Sequence, residues 1–495
     1  MSTTTQSWQN GHSFAPRAVA PTREDDAWRR YFERTALDEP KYPWGTRHLR
    51  HDVADTMRRV VPSDARVLEV GCGLGETLAA LSNQVREGID VTPAAVARAN
   101  ERHPELAITE GDVLKLHRPE RYDAIVCDRL LHMVPDIQVM LENLAEHLTP
   151  EGRIYLTCYN YLWEAVIRVG ERFGFRIPTP EANWLSESDL ENLFTLTDLE
   201  VVKFEDRMLV PMPVPVVSGL VNRYVAPLPV ARNLTVYRLY VLRKRKATAL
   251  RPEAPKPKVT VVVPARNEEG NVPNIIARTP MMGRGTELIF VEGGSKDGTR
   301  AAIERAIATY DGPLELSLHL QTGKGKGDAV RVGFDKATGD ILMILDADLT
   351  VPPEELPKFY DVMVKGMTDY VHGTRLVYPM ESEAMRFLNK LGNIGFSKLF
   401  TYLLNQPLKD TLCGTKVLWA RDYARVAANR HHFGDFDPFG DFDLIFGAAR
   451  LNLKIMEIPI RYRDRTYGET NISRFRHGWM LLQMSAVAAT KLKFV

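Results

Sequence analysis

Cysteine is scarce in this chain: Cys72, Cys127, Cys158 and Cys413 are the only 4 in 495 residues, widely spaced and without a C-x-x-C pair. That pattern argues against a disulfide scaffold and a cysteine zinc site, and it suits a reducing compartment. A surplus of one charge is missing as well. Basic residues number 64 against 63 acidic ones, a formal +1, so the electrostatic footprint of a nucleic-acid binder is absent. Long apolar runs are the third absence, since a membrane span takes ~20 uninterrupted apolar residues. The stretch from Met208 to Val230 is interrupted by Pro211, Pro213, Pro215, Pro227 and Pro229, besides Asn222 and Arg223, and the uncharged stretch from Gly478 to Thr490 has only 13 residues. Residues 1–24 are polar and lack the apolar run of a secretory signal. A cytoplasmic protein is expected, peripheral at the inner face of a membrane if it meets one.

What is present is ordinary globular composition, 44% apolar and 26% charged, in a chain long enough for two to four domains. One boundary is plain. Residues 243–258 read RKRKATALRPEAPKPK, with seven basic residues, three prolines and one Glu. Such a segment resists burial and reads as an exposed, semi-stiff linker; attraction to anionic lipid is its second reading. On both sides, short apolar runs alternate with amphipathic helical stretches, the pattern that predicts parallel α/β architecture in each half. The expected division is a flexible leader (1–40), an α/β domain (41–242), the linker (243–257) and a second α/β domain (258–495).

In the first half, RVLEVGCGLGETLAAL (66–81) reads as strand, glycine turn and helix, the nucleotide-binding start of a doubly wound sheet. Glycines at 71, 73 and 75 permit positive φ and close approach of a ligand. Glu76 stands where the dinucleotide fingerprint has its third glycine, and its carboxylate disfavours a pyrophosphate on that helix end. Asp90 ends a second strand 19 residues after Gly71, placed to accept from ribose hydroxyls or to cap the next helix. Glu110-Gly111-Asp112 closes a third strand, where Asp112 is a ligand acid or a turn acid. YDAIVC (122–127) is a fourth strand, followed by Asp128, Arg129, Leu130, Leu131 and His132.

These four features in order resemble the class I S-adenosylmethionine-dependent methyltransferases, over roughly 40–242. The resemblance implies that Gly71, Gly73 and Gly75 cradle S-adenosylmethionine, that Asp90 holds its ribose and Asp112 its adenine, and that Glu69 lies near its methionine end. His132 is a candidate base for an acceptor hydroxyl, or an acceptor contact; methyl transfer needs alignment more than a base. The variable stretch 159–242 is expected to cover the acceptor.

The second half opens with KVTVVVPARNEEG (258–270), a β-branched strand stopped by Pro264. A second strand, Leu288–Val291, runs into EGGSKDGT, and GKGKG (323–327) reads as a flexible basic loop whose Lys324 and Lys326 suit phosphate oxygens. ILMILDAD (341–348) is an apolar strand ending in two acids. Period two places Asp346 and Asp348 on one face of the extended chain, a pair of hard oxygen ligands for Mg²⁺ or Mn²⁺ on a diphosphate.

The ordered set PARNEEG, EGGSKDGT, GKGKG, DAD, HGTR and DRTYGET resembles glycosyltransferase family 2, with its GT-A type fold, and most of all its polyprenyl-phosphate sugar transferases. By that resemblance Pro264, Arg266, Asn267, Glu268 and Glu292 line the nucleotide of a nucleotide-diphosphate sugar, with Gly293 in place of a second acid. Asp346 and Asp348 take the metal, and Arg375, Arg386 and Arg465 lie around donor and acceptor phosphates or in surface ion pairs. Asp443, in GDFDL, is the acid near the acceptor, a base for a hydroxyl or an orienting group for a lipid phosphate. The segments 386–404 and 479–487 are apolar with basic and aromatic edges. They suit a membrane interface, burial against the sheet or contact with a second copy in a homo-oligomer.

The reading as a whole is two doubly wound α/β domains forming a bifunctional transferase without a nucleic-acid partner. Its rivals are a first half that binds the cofactor without catalysis, and a second half that glycosylates a soluble hydroxyl.

Overall fold

The computed structural model describes residues 28, 30–33, 44–173, 178–180, 182–245, 255–375, 387–432, 441–463, 465, 467 and 474–494. Most of the leader, linker residues 246–254 and Arg386 lie outside the described residues.

Among the described residues two seven-stranded sheets form, one in each half. The first contains β1 (Val67–Val70), β2 (Arg86–Asp90), β3 (Ala107–Glu110), β4 (Tyr122–Asp128), β5 (Leu148–Tyr159), β6 (Leu199–Arg207) and β7 (Tyr237–Lys244), in the order β3-β2-β1-β4-β5-β7-β6. The second contains β8 (Val259–Ala265), β9 (Thr286–Glu292), β10 (Glu315–Leu320), β11 (Ile341–Ile344), β12 (Tyr370–Thr374), β13 (Lys416–Trp419) and β14 (Ile455–Pro459), ordered β10-β9-β8-β11-β13-β12-β14.

Both sheets are mixed rather than wholly parallel. β7 runs antiparallel to β5 and β6, and β13 runs antiparallel to β11 and β12. The inner parallel strands, such as β1, β8 and β11, are buried on both faces because helices cover both, while the edge strands β3 and β10 stay partly exposed. In β8, for example, Val262 packs into one apolar cluster while Val259, Val261 and Val263 pack into another. Each fully buried valine stabilises the fold by ~1.5–3 kcal/mol relative to exposure. The helix Gly325–Lys336 lies so close to β8 that a Cβ on Gly333 would come 2.3 Å from Val262 Cγ1.

Strand order reverses twice, between β1 and β4 and between β8 and β11. These are the crevices where open α/β sheets bind ligands, beyond the carboxyl ends of the strands.

The linker starts later than its composition suggests. Arg243 and Lys244 belong to β7, and Arg243 is 1% exposed. Its guanidinium crosses to the second half, donating from Nη1 to Asp369 Oδ1 at 2.8 Å and from Nη2 to the Met367 carbonyl at 2.6 Å. Arg153 of β5 donates to Asp369 Oδ2 at 2.6 Å and to the Asn452 carbonyl at 2.9 Å. Asn452 in turn donates to the Val60 carbonyl and to Tyr155 Oη, while Lys454 pairs with Glu200. The halves share a buried, charge-paired seam.

Candidate active sites

The first crevice is built on the turn after β1. Gly71, Gly73 and Gly75 have φ of 67°, 53° and 77°, the left-handed region that glycine enters without steric cost. A Cβ at Gly71 would come 3.0 Å from Leu130 Cδ1 and one at Gly75 2.9 Å from Ile108 Cδ1, whereas at Gly73 nothing lies within 4 Å. The middle of the turn therefore borders open space and its flanks are packed.

Asp90, at the end of β2, is tied to that turn. Its Oδ2 accepts from the Gly73 N–H at 2.8 Å and its Oδ1 from the Thr92 N–H at 2.9 Å. Asp112 caps the turn Val113–Lys115 by accepting from the Leu114 N–H at 2.9 Å. Asp112 thus caps its turn, whereas Asp90 does not cap the helix Pro93–Arg102, whose N-cap is Thr92; each acid keeps lone pairs for a ligand.

Glu69 is 2% exposed, and its Oε2 has no hydrogen-bond partner. Burial, followed by the neighbouring Asp128 charge, pushes its carboxyl well above the ordinary 4.5, although the Leu78 backbone and the Thr77 side chain hydrogen-bond to it. A buried acceptor left unpaired costs ~1–3 kcal/mol. A cationic group entering the crevice would meet that missing partner.

Sequence reasoning named Asp128 and Arg129 only by position. Arg129 adopts φ 50° and grips Asp128, with Nη2 to Oδ2 at 2.6 Å and Nε to Oδ1 at 3.0 Å. Burial raises the Asp128 carboxyl, but Arg129 outweighs it and the net shift is downward. Beside this pair the His132 ring centroid lies 5.0 Å from that of Tyr159, which lies 6.3 Å from Trp184. Trp184 sits in an irregular stretch without a motif, so the sequence carries no signal for it.

The second crevice gathers residues from the ends of β8, β9 and β11. Pro264 does not stop its strand: it pairs with Val291 inside β8, and the strand runs on to Ala265. Arg266 is exposed just beyond. Asn267, at φ 58°, donates its N–H to Ser295 Oγ at 3.0 Å and accepts from the Lys296 N–H at 2.8 Å. Glu292 accepts from the Ser295 N–H at 2.5 Å. Burial raises its carboxyl, yet these bonds hold it below the usual range.

Two expectations about local structure are corrected. Lys324 and Lys326 do not lie on a free loop: Lys324 occupies the N-cap position of the helix Gly325–Lys336 without a side-chain cap bond, and Lys326 sits in its first turn. Asp346 and Asp348 are not on extended chain either. β11 ends at Ile344, and the acids follow on a turn closed by Leu349 N–H to the Asp346 carbonyl at 3.2 Å, with Leu349 at φ 56°.

Each of the two acids faces a cation. Lys326 Nζ lies 2.6 Å from Asp346 Oδ1, and Arg465 Nη2 lies 2.7 Å from Asp348 Oδ2. Arg465 also reaches Glu268 Oε1 at 3.5 Å. Burial raises the Asp346 carboxyl, but Lys326, then Lys416 and Arg375, bring it below its ordinary value. Asp348 Oδ1 accepts from Thr350 Oγ1 at 2.8 Å. The pair is a hard-oxygen site already balanced by positive charge. Among the described residues no group of three or more His, Cys, Asp or Glu side chains converges on a metal position, so further ligands would come from a substrate or water.

Arg375 departs from its expected role. It is 8% exposed and forks onto Asp410, with Nε–Oδ2 at 2.6 Å and Nη2–Oδ1 at 2.8 Å. A guanidinium so committed holds the end of β12 in place rather than waiting for a phosphate. Asp443 is 8% exposed and is met by Arg430 Nε at 2.9 Å and Arg331 Nη2 at 3.4 Å.

The two crevices lie in two separate domains. Residues 46–203 match the family described as methyltransferase domain, and residues 260–423 match glycosyl transferase family 2; the chain carries one domain of each kind. An undecaprenyl-phosphate 4-deoxy-4-formamido-L-arabinose transferase of Shewanella sediminis is 29% identical over 228 residues, 45% of this chain and 63% of that protein. The chain thus spans less than two thirds of that relative's length. A solved S-adenosylmethionine-dependent methyltransferase from Thermotoga maritima has 16% identity and a TM-score of 0.34, covering 44% of this chain and 100% of that one. Glucosyl-3-phosphoglycerate synthase from Mycobacterium tuberculosis has 19% identity and a TM-score of 0.34, covering 48% and 80% respectively.

Proposed function

We propose that the chain is a bifunctional transferase, moving a methyl group from S-adenosylmethionine in its first half and a sugar from a nucleotide-diphosphate donor to a polyprenyl phosphate in its second. The single observation carrying the sugar-transfer reading is the turn after β11. There two carboxylates and two cationic side chains, Lys326 and Arg465, meet at the strand-order reversal.

In the first half the donor set suits a molecule with a cationic end. Glu69 would take the ammonium of S-adenosylmethionine, Asp90 its ribose hydroxyls and Asp112 its adenine amino group, with Gly73 giving room beside the turn. The cofactor supplies an electrophilic methyl on sulfur. This chain's share is alignment: the edge formed by Arg129, His132 and Tyr159 holds the acceptor in line with that carbon.

In the second half Asp348 and Asp346 would hold Mg²⁺ or Mn²⁺, which supplies Lewis-acid stabilisation of the leaving diphosphate when bound. Lys326 and Arg465 add fixed positive charge to the same leaving group. The acceptor oxygen bonds to the anomeric carbon from the face opposite the diphosphate, whose C–O bond breaks as the new one forms. A phosphate acceptor is already ionised and requires no base. The positive charge of Arg331 and Arg430 around Asp443 favours an anionic acceptor over a neutral hydroxyl, and the undecaprenyl-phosphate transferases among the relatives support the same choice.

The test is partition of label. Full-length protein is incubated with Mg²⁺ or Mn²⁺, membrane extract and radiolabelled nucleotide sugars, then extracted with organic solvent. Label should enter the organic phase and be lost with Asp348→Ala. Label confined to water-soluble product would reject the lipid-phosphate acceptor.

A further inference from the structure

Large apolar side chains at the surface of this protein are concentrated rather than scattered. Met212, Val216, Leu220, Tyr224 and Val230 are 65%, 75%, 53%, 48% and 83% exposed, and they share one proline-rich ledge of the first half. The helix Glu164–Arg172 adds Val166 and Val169, with Phe173 just beyond it. Their spacing of three and four residues sets them on one helical face. At the C-terminus Trp479 is 63% exposed on the helix Arg474–Ala488.

These pieces are physically joined. Trp163 Nε1 donates to the Leu234 carbonyl at 2.9 Å, which ties the short helix to the ledge. Arg223 Nε donates to the Phe494 carbonyl at 2.9 Å, and the Tyr224 and Phe494 rings lie 6.1 Å apart, which ties the ledge to the C-terminal tail. Tyr402 Oη donates to the Pro227 carbonyl at 2.9 Å.

Charge indicates what covers this surface. Residues 208–236 contain no Asp or Glu, and neither do 474–494, although the chain as a whole is near neutral. The same two segments carry Arg223, Arg232, Arg474, Arg476, Lys491 and Lys493. On the ledge and the C-terminal segment the exposed charged neighbours of these apolar side chains include Arg223 and Lys491, while on the adjoining helix Glu164 is paired with Arg168 and Glu171 accepts from Thr179, so the surface matches a bilayer with anionic headgroups. No helix among the described residues is long and apolar enough to cross a membrane, so the contact is one of lying on the surface.

We infer that the ledge 212–234, with the exposed face of Glu164–Arg172 and the C-terminal helix, docks the protein on an anionic lipid bilayer. The methyltransferase half, not the glycosyltransferase half alone, then holds the enzyme at the membrane. This goes beyond the sugar-transfer reading and is measured without turnover.

The experiment is flotation of the full-length chain with vesicles of phosphatidylcholine, with and without phosphatidylglycerol. Wild type should float with the anionic vesicles, and binding should fall at least ~10-fold in Val216→Asp/Leu220→Asp/Val230→Asp, all exposed positions. Circular dichroism and the thermal midpoint of that variant should match wild type. Lys491→Glu should weaken binding to the anionic vesicles by roughly tenfold. Absence of flotation on either vesicle overturns the inference, as does a triple variant that binds like wild type. A wild-type dimer in sedimentation velocity that the triple variant abolishes, without vesicle binding, would assign the surface to a second copy and overturn it equally.

Discussion

Lys326 Nζ lies 2.6 Å from Asp346 Oδ1, and the backbone of Gly414 closes on the other oxygen so tightly that a Cβ there would stand 1.9 Å from Oδ2. The carboxylate is clamped between a charge and a residue without a side chain. Gly414→Ala should therefore push Asp346 aside. Misplacing a reacting group by about 1 Å costs ~100-fold in rate, so sugar transfer should fall by about that factor while circular dichroism is unchanged. Undiminished transfer would remove Asp346 from the site.

Chelation separates the two halves. EDTA should stop sugar transfer, with Mg²⁺ or Mn²⁺ restoring it, and should leave methyl transfer at its original rate. Equal loss of both activities, measured in one preparation, would contradict the assignment of the metal to Asp346 and Asp348.

Glu69 gives a prediction with opposite signs for binding and stability. Glu69→Gln replaces a buried carboxyl group, whose Oε2 has no partner, by an amide that cannot ionise. The substitution should weaken S-adenosylmethionine binding ~10–100-fold, the worth of one charge-assisted hydrogen bond, while the cofactor-free protein becomes no less stable. Calorimetric titration and thermal melts check the two parts.

The same residue sets a pH dependence. Its folded-state pKa is raised above the ordinary 4.5, so the folded state favours the protonated form. That contribution to stability is full below the ordinary value and is lost as pH rises through the raised one. In cofactor-free protein the Glu69→Gln variant should flatten this part of the stability profile, measured by denaturant unfolding at a series of pH values.

Asp369 is 3% exposed and serves both Arg153 and Arg243. Asp369→Ala takes the carboxylate from buried Arg153 and leaves Arg243 with Glu200 alone, which should cost ~3–5 kcal/mol. The loss should appear in denaturant unfolding of the full chain.

Much of this architecture was legible in the sequence, for physical reasons. Val67–Val70 and Ile341–Ile344 are short runs buried on both faces, and such runs announce parallel strands whatever follows them. Glycines 71, 73 and 75 declared their turn because positive φ leaves few alternatives. Local turn geometry was harder to read. The DAD acids looked like strand residues, yet they sit past the last ladder bond, where Leu349 takes a positive φ that composition does not signal. Arg375 looked like a phosphate ligand because its partner Asp410 lies 35 residues away. Gly414 has no signal at all; its importance appears only once Asp346 is placed against it. Arg243 hides its role for a different reason: a basic cluster beside prolines averages out a member that is buried and paired 126 positions later.

That seam also has an evolutionary consequence. Arg153 and Arg243 come from one half and Asp369 from the other. A recombination event near residue 250 that replaced either half would bring unmatched charges face to face. The fused gene is therefore constrained to descend as a unit, and drift on one side of the seam is admissible only when the other side answers it.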